Sequence, residues 1–214
     1  MELLTILSVC MILTSLAVFG LRNYKVSIFV YSAQTSLLVL IFLTLAVTYN
    51  AFQLFTWAII AFITKVILVP YIIFRLIKKL GVISEIEPVA GFFVSPIIAM
   101  GFSLATAMSI YPIYLKFSLI KESIPLIASI TVFMMGIFGF ILRKSVIKQI
   151  LAFCMFENGI HLSLALMAYN SPEIVEIGVL TDAIFAVLIM SILASRFYKY
   201  FNSLDVSKAN TLKG

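Results

Sequence analysis

Charged and metal-binding side chains are scarce in this chain. Asp, Glu, Lys and Arg together make up 11% of the 214 residues, and the chain has one His and two Cys. About a quarter of the residues in an average soluble domain are charged, so this composition excludes such a domain. Two Cys without a paired motif and a single His do not complete a metal site. We therefore expect no cofactor and no metal on this chain.

Apolar residues dominate instead. They make up 63% of the chain and occur in runs that are long enough to cross a bilayer, for which a helix needs about 20 residues. The predicted spans are 3–21, 26–48, 52–75, 89–110, 123–142, 147–169 and 174–199. The runs are continuously apolar rather than alternating, which excludes a strand barrel. The sequence thus predicts an all-α, polytopic membrane bundle of about seven transmembrane helices, with membrane lipid as one of its partners.

Basic residues are distributed unevenly between the two sides of this bundle. Of the 15 Lys and Arg residues, Lys116 and Lys121 lie near the 111–122 connection and Lys65 lies within a span. All the others follow the first, third, fifth and seventh spans. Short cytoplasmic loops are enriched in Lys and Arg, so we predict the N-terminus outside and the C-terminus in the cytoplasm. The net charge of +6 then reflects topology, and a nucleic-acid partner is not expected.

Three charged residues interrupt the apolar runs. Lys65 lies in the third span, Glu157 in the sixth and Asp182 in the seventh. A charge near the bilayer centre costs roughly 2.5–3.5 kcal/mol on insertion scales, so such residues face protein or a wet cavity and suggest a functional site. At about 1.5 Å rise per residue, all three fall near mid-membrane. We predict one polar layer that forms an ion relay, and its members are Gln34, Lys65, Glu157, Asn158, His161 and Asp182.

A purely structural interpretation of these charges stays open. A buried Lys–Glu or Lys–Asp pair can fix helix packing without any role in transport. Glu157 and His161 are four residues apart on one helix face, but no further ligand completes a metal site. The serines of the chain have no partnered base, so hydrolase chemistry is not supported.

Three segments resemble a known family. ENGIHLSLALMAYNSPEIVEIGVLTDAIFAVLIM (157–190), with LDVSKANTLKG at the C-terminus, resembles the component E subunit of hydrogenase 4. AFITKVILVP around Lys65 resembles the N-terminal half of the same family. More distantly, the last three spans are similar to the K subunit of complex I and to the small C component of multi-protein cation/proton antiporters. The implied division is an N-terminal four-helix segment (1–122) and a K-like three-helix module with a short cytoplasmic tail (123–214).

The resemblance implies a role for some of these residues. Glu157 matches the acidic residue of the second helix of the K subunit, and Asp182 stands where that subunit has a second membrane glutamate. Those acids belong to the chain of ionisable groups that carries protons through the membrane arm of complex I. Lys65 has no counterpart in the K subunit, because it lies in the N-terminal half.

The implied function is that of a non-catalytic membrane subunit of a redox-driven hydrogenase complex in the cell membrane, contributing to proton or cation translocation. The implied partners are large antiporter-like subunits and other subunits of that complex, with iron–sulfur clusters and a NiFe centre on the partners. Two alternatives stay open: a structural anchor of the same membrane arm, and a component of a multi-protein cation/proton antiporter.

The predicted orientation has a direct test. Reporter fusions placed after Lys79 and Lys144 should report the cytoplasm, and fusions after Asn50 or Ser171 should report the outside, because the basic loops remain inside. Alkaline phosphatase and fluorescent-protein fusions give opposite signals on the two sides and control for expression. An external signal after Lys144 would reverse the orientation.

Overall fold

The chain folds as a bundle of long helices. The computed structural model describes residues 2–170 and 173–211, apart from the side chains of residues 173–180, 182, 183, 210 and 211. Its elements are α1 (Glu2–Gly20), α2 (Tyr24–Thr48), α3 (Gln53–Ala61), a π-helical segment (Phe62–Leu68), α4 (Val69–Leu80), α5 (Val94–Phe117), α6 (Ser123–Leu142), α7 (Val146–Ala168), α8 (Glu173–Phe201) and a short 3₁₀ helix (Val206–Thr211). Within the described residues, 7 helical stretches are long and apolar enough to cross a membrane. The predicted all-α bundle is confirmed.

The third span is one continuous helix with a π-helical centre. α3, the π segment and α4 follow one another without a break from Gln53 to Leu80. The N–H of Val69 bonds to the carbonyl of Thr64, five residues earlier. Pro70 follows directly and has no N–H to donate, so the regular ladder is interrupted at this point. The extra residue per turn shifts the side chains of the π segment, which carries Lys65.

The apolar interior is divided into two clusters. One contains residues 4–11 of α1, 38–46 of α2 and 162–166 of α7, and the other contains residues 18–19, 24–31 and 147–155 of the same helices. On each helix the residues between the clusters include buried polar side chains, such as Ser15, Gln34 and Asn158. The fold therefore places a polar layer at mid-depth between two apolar halves. We call the membrane face at the α1–α2 and α6–α7 connections the basic face, and the other the opposite face.

Close packing of α6 and α7 depends on glycine. A Cβ added at Gly136 would lie 2.6 Å from the Cα of Phe156, and one added at Gly159 would lie 2.5 Å from the backbone nitrogen of Phe133. Gly139 approaches Ala152 in the same way. The two helix backbones are therefore in direct contact, as small residues allow in membrane helix pairs. This contact fixes the height of α7, which bears three residues of the predicted relay.

The ends of two spans differ from the predicted ones. The prediction ended the third span at 75 and placed the fourth at 89–110, whereas α4 ends at Leu80 and α5 covers Val94–Phe117. Gly81 ends α4 with a φ of 68°, a left-handed conformation that glycine adopts without strain. Gly91, with a φ of 73°, lies in a turn closed by the Pro88 carbonyl, and α5 begins only after it.

The two predicted parts of the chain share one interior. α1 packs on α6, and α2 packs on α7, so helices from 1–122 and 123–214 alternate in the bundle. α5 packs mainly on α6, and α4 packs on α8. The division into a four-helix segment and a K-like module stays a prediction, but the polar layer is built from both parts.

The glycine contact between α6 and α7 predicts a position-dependent effect of alanine. Gly136→Ala should lower the unfolding temperature of the detergent-purified chain by about 5 °C, because overpacking costs roughly 1–3 kcal/mol. Gly101→Ala is the matched control, since a Cβ at that helical glycine meets nothing within 4 Å. It should leave the temperature unchanged or raise it slightly. Equal unfolding temperatures for the two variants would contradict this account of the packing.

Candidate functional site

The side chain of Lys65 ends in the middle of the bundle. It is fully buried, and its Nζ lies 2.9 Å from Nδ1 of His161, 3.3 Å from Oδ1 of Asn158 and 3.6 Å from Oε2 of Glu157. Three N–H groups thus have three possible acceptors. A buried ammonium ion is tolerated only when it is paired in this way, so the three α7 residues define its environment.

α7 supplies these partners because of their spacing. Glu157 and His161 are one helical turn apart, and Asn158 lies beside Glu157. Residues four apart lie on the same helix face, and an adjacent residue is turned by about 100°. Lys65 comes from the π segment, which packs against α2 rather than continuing the regular register of α3. The cationic side chain of Lys65, from the third span, therefore contacts the polar turn of α7.

Asn158 extends the site to α2 and α1. Its amide nitrogen donates to Oγ1 of Thr35 at 3.0 Å and approaches Oε1 of Gln34 at 3.5 Å. Gln34 in turn donates to Oγ of Ser15, and Ser15 donates to the carbonyl of Met11. All of these side chains are buried. We call Gln34, Lys65, Glu157, Asn158 and His161 the central cluster, with Ser15 and Thr35 as its outer partners.

His161 has two competing contacts at one ring nitrogen. Nδ1 lies 2.9 Å from Nζ of Lys65 and 2.7 Å from the carbonyl oxygen of Glu157. Nδ1 must carry a proton to donate to the carbonyl, and must lack one to accept from the Lys65 ammonium. Nε2 is buried without a hydrogen-bond partner among the described residues. The two contacts at Nδ1 therefore require different protonation states of that nitrogen.

The structure brings together five of the six predicted relay residues, namely Gln34, Lys65, Glu157, Asn158 and His161. The side chain of the sixth, Asp182, lies outside the described residues, and its backbone belongs to α8. Its place in the layer stays a prediction, as does the relay role of all six.

A second group of buried charges lies toward the basic face, and the sequence did not reveal it. Nη1 of Arg143 donates to Oε2 of Glu85 at 2.9 Å, and both side chains are almost fully buried. Arg143 also lies over the ring of Phe19, 4.3 Å from its centroid. Burial raises the pKa of Glu85 above its ordinary value, against the opposing charges of Lys148 and Arg143. This pair joins the connection after α4 to the connection between α6 and α7.

Lys148 belongs to the same region. Its Nζ donates to the carbonyl of Val18 at 2.7 Å and to Oγ of Ser27 at 2.8 Å. Lys148 is one of the basic residues that follow the fifth predicted span, but its side chain is buried between α1, α2 and α7. Only a residue's approximate position in a span is visible in the sequence, so the direction of this side chain was not predictable.

Buried polar side chains on α2 lie between these two groups. Ser27 contacts Lys148, Thr35 contacts Asn158, and Tyr31 lies between them on the same helix face. The hydroxyl of Tyr31 is buried without a hydrogen-bond partner among the described residues. Residues four apart share a helix face, so these three side chains form one polar line from the basic face to the central cluster.

Together, these features define a multi-pass α-helical membrane protein with ionisable residues buried among its helices. Residues 124–214 match the family of NADH-ubiquinone/plastoquinone oxidoreductase chain 4L. Over 205 residues, covering 95% of this chain and 94% of the relative, the chain is 36% identical to Hydrogenase-4 component E of Escherichia coli (strain K12). The chain belongs to the hydrogenase-4 component E family.

Other relatives agree with this placement. The protein of the same name from Shigella flexneri is also 36% identical over 205 residues, covering 95% of this chain and 94% of its own. An uncharacterised protein of Mycobacterium tuberculosis is 23% identical over 205 residues, covering 95% of this chain and 92% of its own. No solved structure matches the chain. The predicted resemblances to hydrogenase 4 component E and to the small subunit of complex I are confirmed.

The Glu85–Arg143 pair yields a prediction about stability. Arg143→Met leaves the Glu85 carboxylate buried without its guanidinium partner and should cost roughly 3–5 kcal/mol of unfolding free energy. Glu85→Leu should be similarly costly, because it leaves Arg143 unpaired. The double variant should lose less than either single variant, since neither charge is then stranded. Chemical unfolding in detergent measures these differences.

The neighbouring Lys144 provides the control for this experiment. It is half-buried and has no ion pair within the described part of the chain. Lys144→Met should therefore change the unfolding free energy by about 1 kcal/mol or less. Additive losses in the double variant would show that the pair contributes no coupling.

Proposed function

We propose that this chain is a non-catalytic membrane subunit of a redox-driven, complex I-related hydrogenase complex, and that its central cluster takes part in proton or cation translocation. The observation that supports this most is the contact of a buried cation with a carboxylate and an imidazole at mid-depth. The hydrogenase-4 relatives support the complex, and the chain 4L match supports its kinship with complex I.

The free-energy cost of burying Lys65 and Glu157 favours a functional role for the central cluster. Burying two ions requires their removal from water, and apolar residues of similar volume often stabilise a fold as well or better. Lys65 and Glu157 are nevertheless placed where the two apolar clusters leave a polar layer. Ionisable residues inside membrane segments commonly belong to ion pathways and proton relays. A cation, an acid and a base in contact can exchange a proton without exposing a charge to lipid.

His161 gives this exchange a specific route. In one state the Lys65 ammonium donates to an unprotonated Nδ1, while Nε2 carries the ring proton. Transfer of a proton from Lys65 to Nδ1 leaves a neutral amine and an imidazolium, whose Nδ1–H then donates to the Glu157 carbonyl. Return of that proton from Nδ1 to the amine restores the first state, so the pair moves one proton between Nζ and Nδ1 while its total charge stays constant. The distances of 2.9 Å and 2.7 Å at Nδ1 suit both states.

The distribution of buried charges supports a subunit that works with neighbours. Among the described residues, the buried ionisable side chains of Lys65, Glu157 and His161 lie in the polar layer. Those of Glu85, Arg143 and Lys148 lie toward the basic face, and α2 links the two groups. The apolar cluster on the opposite side has no such residue in the described part of the chain. Because buried ionisable residues do not continue toward the opposite face in the described part of the chain, a proton held in the polar layer would move sideways, parallel to the membrane, to a partner subunit.

The proposed partners are large antiporter-like subunits of the same membrane arm. The iron–sulfur clusters and the NiFe centre of the complex would lie on other subunits, and the complex would reside in the inner or plasma membrane. A structural anchor is the rival function, because Lys65–Glu157 also ties the π segment to α7. Co-purification in mild detergent identifies the partners and separates a hydrogenase complex from an antiporter without redox subunits.

Neutral variants separate a relay from an anchor. Glu157→Gln retains the shape of the side chain but removes its charge and its titrating proton. If the cluster relays protons, this variant should lower ion translocation per turnover by at least about tenfold, as loss of a positioned acid or base commonly costs 10²–10⁴. Asp182→Asn and Lys65→Ala should also impair coupling. Glu157→Asp should be milder, because it retains the charge. The measurement is pumping by membrane vesicles alongside the abundance of the assembled complex.

Glu122→Gln is the matched control, because Glu122 precedes α6 away from the polar layer and accepts a hydrogen bond from Tyr49 that glutamine can also accept. It should assemble and pump as the native chain does. Full pumping by an assembled Glu157→Gln complex would refute the relay. Loss of assembly by Glu157→Gln and Lys65→Ala, with normal coupling in the residual complex, would favour the anchor.

A further inference from the structure

A cavity separates the ends of α4 and α8 at the basic face. It has a volume of about 610 Å³ and is lined by three cations, Lys79 from α4 and Arg196 and Lys199 from α8. The two α8 residues are three apart and therefore neighbours on the helix surface. We call this cavity the α4–α8 pocket. It is remote from the central cluster, whose residues do not line it.

The three cations converge without an acidic partner. Within the described residues the ion pairs are Lys65–Glu157 and Arg143–Glu85, so none involves a cation of the pocket. Lys79, Arg196 and Lys199 are all exposed, and none of their side chains makes a hydrogen bond with the described part of the chain. Like charges at close range repel one another, and an anion between them would remove that repulsion.

The remaining walls of the pocket are of two kinds. Tyr198 presents a phenol and Ser195 a hydroxyl, which Ser195 donates to the carbonyl of Ser191. Leu80 and Ile192 form an apolar side, and Ile192 is exposed. Arg and Lys bind phosphate by charge-assisted hydrogen bonds, and Tyr is typical of the membrane interface. The pocket thus combines a phosphate-binding rim with an apolar wall.

The pocket also lies at the right depth for a lipid headgroup. Its cations occupy the last turns of α4, which ends at Leu80, and of α8, which ends at Phe201. These turns are at the face where most of the Lys and Arg residues lie, which the charge distribution predicts to be cytoplasmic. Basic pockets between membrane helices on that side suit anionic headgroups. An apolar wall at the same level gives an acyl chain a surface that a soluble phosphate does not need.

We propose that the α4–α8 pocket binds one anionic phospholipid, with its headgroup phosphate among Lys79, Arg196 and Lys199 and an acyl chain against Leu80 and Ile192. The lipid would hold α8 to α4 at the basic face, where their ends diverge around the cavity. The inference stands independently of the relay, because it depends on none of the buried ionisable residues.

Native mass spectrometry of the detergent-purified full chain tests this with palmitoyl-oleoyl phosphatidylglycerol and with phosphatidylethanolamine of the same acyl chains. The native chain should retain one phosphatidylglycerol in preference to phosphatidylethanolamine. A Lys79→Gln, Arg196→Gln, Lys199→Gln variant should lose at least about tenfold in affinity for phosphatidylglycerol, because each basic residue near an anionic surface contributes roughly fivefold. The Lys79→Arg, Lys199→Arg variant should retain it.

The matched control removes the same charge from the same face. Lys25, Arg75 and Lys78 are exposed and do not line the pocket, so replacing all three by Gln should leave the retained lipid in place. Excess inorganic phosphate should not displace the lipid. Equal loss in both triple variants, equal retention of the two lipids, or displacement by phosphate alone would each overturn the proposal. So would an acidic segment of a partner occupying the pocket in the purified complex.

Discussion

The buried ammonium of Lys65 is the constraint around which the membrane interior is organised. A charge at this depth is stable only with partners, and the partners come from one turn of α7 at 2.9–3.6 Å. That arrangement requires α7 at a defined height, which the direct contact of Gly136 with the Phe156 backbone provides. It also requires the π segment, which sets the direction of the Lys65 side chain. Helix packing and the polar layer therefore depend on each other.

Buried charged residues near the basic face also hold separate parts of the chain together. Arg143 is held by Glu85 and lies over Phe19, so three separate parts of the chain meet at one guanidinium. Lys148 ties α7 to the end of α1 and to the start of α2 on the same side. Because both ends of this charged region are tied to the bundle, the polar line on α2 is held between two rigid groups.

Much of this architecture was predictable from the sequence, because hydropathy and helix length determine the spans. The common depth of Gln34, Lys65, Glu157, Asn158 and His161 followed from the rise of a helix alone. The later start of α5 depends on the turn at Gly91, and the π segment depends on Thr64 and Val69, which no periodicity reveals. Ser15 and Thr35 were missed because hydroxyl side chains in membrane helices usually bond their own backbone. Glu85 was missed because a loop glutamate is normally solvated.

The Glu85–Arg143 pair and the central cluster differ in geometry and in the chemistry of their side chains. Glu85 and Arg143 form a short, direct pair at 2.9 Å, and an arginine does not give up its proton, so that pair acts as a clamp. In the central cluster Nζ of Lys65 lies 3.6 Å from Oε2 of Glu157, and Nδ1 of His161 lies closer to it, at 2.9 Å. Lysine and histidine both exchange protons when their surroundings change. The fold thus places its inert ion pair near the membrane surface and its exchangeable groups at mid-depth. The first arrangement can only hold parts of the chain together, whereas the second both holds helices together and would serve the proposed relay.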